Sequence, residues 1–210
     1  MPDLATIASL GTAVGTLVLG AATFSSVRSS NRTARIAEQS FLLGARPLLV
    51  PTRFEDPTEK VMFSDQRWLE VGGGQAVFAV TDNVVYLAMA VRNVGNGLAV
   101  LDRWRLFPER ISNDDSDPDI NSFRRLSRDL YIPAGGQGFW QGALRDADDP
   151  IRPEIERSIR ERRSMSLEIL YADHQGGQRT VTLFGIVSSE DNRWLVSVSK
   201  HWNLDVEDPR

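Results

Sequence analysis

His174 and His201 are the only histidines in the 210-residue chain, and there is no cysteine. A multi-histidine or thiolate metal site is therefore impossible, and a Ser-His-Asp arrangement would have to use one of these two imidazoles. No Gly-x-Ser-x-Gly elbow offers a serine to them. Asp173 and His174 fall in "ADHQGG", which reads as a hairpin turn where an aspartate bonds the backbone. His201 falls on the polar face of a strand-like run. "NDDSDPD" (113–119) alternates Asp115, Asp117 and Asp119, yet a calcium loop begun at Asp115 would need Gly and Glu where Ile120 and Leu126 stand. "GGGQ" (72–75) and "AGGQG" (134–138) lack the lysine and hydroxyl residue of a phosphate-binding loop and read as turns. No catalytic residue, metal ligand or cofactor is expected, and the chain is not expected to be an enzyme.

Charged and aromatic residues point instead to contacts. Arg157, Arg160, Arg162 and Arg163 are interleaved with Glu156 and Glu161, the pattern of a salt-bridged helix face. Trp104, Trp194 and Trp202 share parity with apolar neighbours and read as sheet-face residues. Trp140, beside "GGQGF", is the tryptophan expected to be exposed. Trp140, Arg157 and Arg160 are accordingly the candidate partner contacts. The net charge of -4 and a pI near 5.3 give no basic footprint, so nucleic acid is not an expected partner.

The elements that must carry these residues begin with "LATIASLGTAVGTLVLGAATF" (4–24), which has no charged residue. As a helix it would reach about 31 Å, near the thickness of a bilayer's hydrocarbon core. A transmembrane anchor is expected over 1–25. Arg28, Arg32 and Arg35 follow at spacings of four and three, so they share one helix face that would meet inner-leaflet headgroups. Their position predicts a single pass through the inner membrane, with the N-terminus outside and the rest in the cytoplasm. The alternative is an exported domain. Gly11 and Gly15 form a small-xxx-small pair through which two such helices could associate as a homo-oligomer. A juxtamembrane helical linker is expected over 26–45, since that stretch lacks proline and "ARPLLVP" then ends the helical pattern.

From 46 to 205 the chain reads mainly as strands, before a tail over 206–210. "VVYLAMAVRNV" (84–94) is apolar on both faces, as a central strand packed on both sides would be. In "LAVLDRWRLF", Val100, Trp104 and Leu106 alternate with Arg103 and Arg105. "RWLVSVSKHW" places Trp194, Val196, Val198 and Trp202 on one face and Ser197, Ser199 and His201 on the other. "DDPIRPEIERSIRERRS" departs from the pattern. Its Ile151, Ile155 and Ile159 at steps of four predict one short helix started by Pro150 or Pro153. Short strands with one helical insert predict a β-sandwich.

"VRNVGNGLAV" resembles the strand-and-turn signature of immunoglobulin-like β-sandwich modules of bacterial proteins, and "LYADHQGGQRTVTL" is similar to their late hairpin. The resemblance implies an immunoglobulin-like antiparallel sandwich used for adhesion, packing or binding without catalysis. The expected function is thus a membrane-anchored protein-binding or scaffold module, with the lipid bilayer and another protein as partners. An oligomerising membrane effector and an exported envelope-binding module are the alternatives.

Overall fold

The computed structural model describes residues 4–111 and 117–205, except the side chains of 4–14, 18, 39, 42 and 43. The chain divides into two units, at Gly44 and Ala45. The first is one helix, α1 (Leu4–Gly44). It holds no proline, and it stops at a glycine two residues before Arg46, whose following proline disfavours helical backbone. Leu17, Leu19, Phe24, Val27, Ile36 and Phe41 are all exposed along it.

This helix overturns the expected anchor. Among the described residues no helix is long and apolar enough to cross a membrane. The transmembrane anchor over 1–25 and the single-pass inner-membrane location are therefore corrected, while the stretch expected as a helical linker over 26–45 is helical to Gly44. One uninterrupted helix runs through both stretches.

In the second unit the strands are β1 (Leu49–Pro51), β2 (Glu59–Met62), β3 (Trp68–Val71), β4 (Gln75–Val80), β5 (Val85–Asn93) and β6 (Ala99–Phe107), then β7 (Arg124–Arg125), β8 (Tyr131–Ile132) and β9 (Gln137–Leu144). Helix α2 (Arg152–Arg160) precedes β10 (Met165–Ala172), β11 (Thr180–Ser188) and β12 (Trp194–Asn203). Strands far outnumber helices, so the chain is mainly β. Ten of them form one antiparallel sheet, ordered β1-β5-β4-β12-β11-β10-β6-β7, with β9 also on β5 and β8 also on β6; β2 and β3 form a separate pair.

An immunoglobulin-like sandwich would keep two separate sheets, and here that expectation fails. β4 pairs with β5 on one edge and with β12 on the other, the latter through only Ala76↔Trp194 and Gln75↔Leu195. The sheet is continuous through that narrow link, and both of its halves contribute to one core. Leu87 and Met89 of β5 and Leu144 of β9 share it with Leu101 and Leu106 of β6 and with Ile169, Phe184 and Ile186 of β10 and β11. Full burial of each such side chain contributes about 1.5–3 kcal/mol. The opposite face of β5, through Tyr86, Ala88 and Ala90, packs on Val61, Phe63, Leu69 and Val71. That second contact is why β5 is apolar on both faces.

Two bulges change the alternation that the sequence predicts. On β6, Arg103 faces Leu170 but Leu101 faces Tyr171, so Asp102 is the extra residue. Leu101 joins Trp104 and Leu106 in the core, and Val100 does not. On β12, Lys200 faces Leu183 but Val198 faces Phe184, which makes Ser199 the extra residue. Trp202 therefore leaves the face of Trp194 and packs with Phe123, Leu170, Val181 and Leu183. α2 buries Ile155 fully, with Ile151 and Ile159 packed against the same core. Pro153 stands in its first turn, where a missing N–H costs nothing.

Asn93 explains the "NVGNG" stretch. Its side chain is fully buried and makes four bonds, accepting from the N–H groups of Leu48 (3.1 Å) and Gly95 (3.0 Å) and donating to the carbonyls of Gly97 (2.7 Å) and Ile132 (3.1 Å). A Cβ at Gly97 would lie 1.7 Å from the Ala45 carbonyl oxygen, and one at Gly95 2.2 Å from that of Arg46, so only glycine lets the chain pass. Asn93→Ala is expected to lower the unfolding free energy by about 3 kcal/mol in urea titrations, because four backbone groups lose a partner together. A loss under about 1 kcal/mol would show that water replaces the amide.

Candidate functional site

Two exposed arginines, Arg125 and Arg128, stand where the sheet ends. β9 is paired along one edge only, with β5. β7 meets β6 through Arg124↔Trp104 and Arg125↔Arg103. Between them lies a cleft of about 340 Å³ lined by Arg124, Arg125, Arg128 and Arg145, with Trp104 and Gln141. Alternation along β9 turns Trp140 and Leu144 inward, and Gly142 leaves room for the rings. A Cβ there would sit 2.8 Å from Cζ2 of Trp140 and 3.0 Å from Cζ2 of Trp104. The two indoles meet edge to face at 5.2 Å. Gln141 donates to the Asp129 carboxylate from the segment after β7.

The four arginines divide into two kinds. Arg124 is clamped by Asp149, which it meets with both terminal nitrogens, and lies over the Trp104 ring at 5.6 Å. The guanidinium, helped by the Ile151 N–H, holds the Asp149 carboxyl below its ordinary range against the opposing effect of burial. Arg145 donates to Asp65 at 2.6 Å and to Ser64 at 3.1 Å. Asp65 also accepts the Tyr86 hydroxyl at 2.5 Å, and Arg145 with Tyr86 brings its pKa down to about 2. Arg125 and Arg128 are exposed, and among the described residues no carboxylate pairs with either. Among the described residues the cleft thus holds two arginines without an ion-pair partner.

The residues expected to matter lie elsewhere. Trp140 is 1% exposed, so its reading as a surface contact is corrected; the glycine at 142 on its face leaves room for it inside. Arg157 is exposed on α2 and pairs with Glu154 at 3.2 Å, while Arg160 is exposed near the helix end. Gly11 lies outside the described side chains. A Cβ at Gly15 would meet nothing within 4 Å, so this glycine has no packed neighbour. Arg28, Arg32 and Arg35 are exposed on α1, and their inner-leaflet role falls with the corrected span.

Asp173 accepts the N–H groups of Gln175 (3.1 Å) and Gly177 (2.9 Å) and shapes its turn. His201 Nδ1 lies 2.8 Å from the Thr182 hydroxyl, which meets the buried Tyr171 hydroxyl at 2.9 Å. Burial pushes the Tyr171 phenol up to about 12, so it stays neutral. Asp115 lies outside the described residues, and Asp119 caps the short turn Ile120–Ser122. Among the described residues no group of three His, Asp or Glu side chains could hold a metal ion.

Comparison with known proteins adds little. No family model matches the sequence, and no curated protein matches it. A crystal structure of a protein from Archaeoglobus fulgidus is similar at 10% identity over 63% of this chain and 95% of that one, with a TM-score of 0.25, a level at which the likeness carries no argument.

The Arg124–Asp149 clamp makes a pH-dependent prediction. Because the folded carboxyl titrates below its unfolded value, its stabilisation is present above about pH 4 and lost as the pH falls through the folded pKa. Asp149→Asn is expected to cost about 1.5–3 kcal/mol at neutral pH, with the difference from wild type shrinking in acid. A difference independent of pH would assign the effect to shape alone.

Proposed function

We propose that the β unit is a non-enzymatic protein-binding module that takes an acidic segment of a partner protein in the cleft between β7 and β9. One observation carries this reading. In a chain of net charge -4, Arg125 and Arg128 stand together at a cleft without a carboxylate partner among the described residues, beside two arginines already held in place. Arginine is suited to this work because its planar fork meets a carboxylate through two hydrogen bonds.

An acidic protein segment is favoured over a nucleic acid. Two unmatched arginines in one cleft answer two carboxylates, whereas nucleic-acid surfaces track a backbone with a basic stripe. Binding is tested with the full chain and a labelled oligoglutamate peptide, followed by fluorescence anisotropy. Arg125→Glu/Arg128→Glu is expected to weaken binding roughly a hundredfold while leaving stability within about 0.5 kcal/mol, since both side chains are exposed. Equal binding by the variant, or tighter binding of a single-stranded oligonucleotide than of the peptide, would overturn the proposal.

A further inference from the structure

We infer that the acidic segment binds as an extended strand added to the free edge of β9, its main chain paired with Gln141 and Ala143. This rests on the acidic-partner reading and goes beyond it, because it assigns the bound conformation and the backbone groups that hold it. The phase of the β5–β9 ladder is fixed by the Asn93 N–H, which donates to the Gly136 carbonyl at 3.0 Å. Antiparallel pairs alternate, so Gly138, Trp140, Gly142 and Leu144 direct their N–H and C=O to β5. Phe139, Gln141 and Ala143 direct theirs away from it. Among the described residues no protein group bonds to those outward backbone groups.

Two further features single out this edge. Sheet edges are usually blunted with lysine, proline or inward charge, and "QGFWQGAL" contains none of these. Gln141 and Ala143, whose backbone faces outward, line the cleft together with Gly142, Arg125 and Arg128. Edge pairing would supply affinity through the main chain and selection through alternate acidic side chains. A second copy's β9 is the weaker occupant, because it brings no carboxylate to the arginines.

The test compares oligoglutamate with the same peptide methylated at every backbone nitrogen, using the full chain, together with amide hydrogen exchange. Charge is identical in the two peptides. The methylated peptide is expected to bind roughly tenfold more weakly or worse, as its lost hydrogen bonds are worth about 1 kcal/mol each. The unmodified peptide should slow exchange at Gln141 and Ala143 and leave Trp140 and Gly142, already bonded to β5, unchanged. Equal binding of both peptides would overturn the strand while leaving acidic recognition standing. No binding of either would remove both. Slow exchange at Gln141 and Ala143 in the free chain would assign the edge to a second copy and overturn the inference.

Discussion

Aromatic rings, and no ladder, hold β9 against β6. Trp104 and Trp140 meet edge to face with an interplanar angle of 71°, an arrangement worth about 0.5–1.5 kcal/mol beyond the area it buries. Gly142 is the condition for that contact, since any side chain there would push the indoles apart. Hydrogen bonding would have brought the two strands together by using up their outward backbone groups. Packing through rings closes the core and leaves the outward groups of β9 facing the cleft, while β6 pairs on its second edge with β7 and β8. The fold carries a cost for this arrangement, because the Trp140 indole N–H is buried without a partner.

The electrostatics follow the same division between what is fixed and what is left open. Asp149 and Asp65 immobilise Arg124 and Arg145, and each carboxylate is tied to other elements, to Ile151 at the start of α2 in one case and to Tyr86 of β5 in the other. Arg152 reinforces the frame from α2 by donating to the carbonyls of Asp82 (3.1 Å) and Asn83 (3.0 Å) in the β4–β5 turn. Arg125 and Arg128 stand outside that frame. A cleft with clamped walls and two unmatched charges loses little conformational freedom when an anionic segment enters.

Much of the β unit was legible in the sequence, because period and turn chemistry are local. The double-faced apolar run of β5, the isoleucine steps of α2 and the aspartate turn at Asp173 all express short-range rules. The failures share one cause. Bulges at Asp102 and Ser199 shift parity by one residue without any mark in the apolar pattern, so Val100 and Trp202 were placed on the wrong faces. Trp140 was read as exposed because its glycine neighbours look like a turn, although they serve to make space. The expected membrane anchor rested on the length of an uncharged run, and among the described residues no helix is long and apolar enough to span. The cleft depends on strands distant in sequence. Its one local sign is "FRRLSRD", three arginines within five residues.

The central claim is that the seam between β7 and β9 receives an extended acidic strand. Isotope-filtered NMR of the labelled full chain with unlabelled oligoglutamate tests it most directly, because close contact between backbone protons of paired strands is a direct mark of a ladder. The account predicts cross-strand contacts from the peptide's backbone protons to those of Gln141 and Ala143. Contacts confined to the arginine side chains, or to residues outside the cleft, would contradict it.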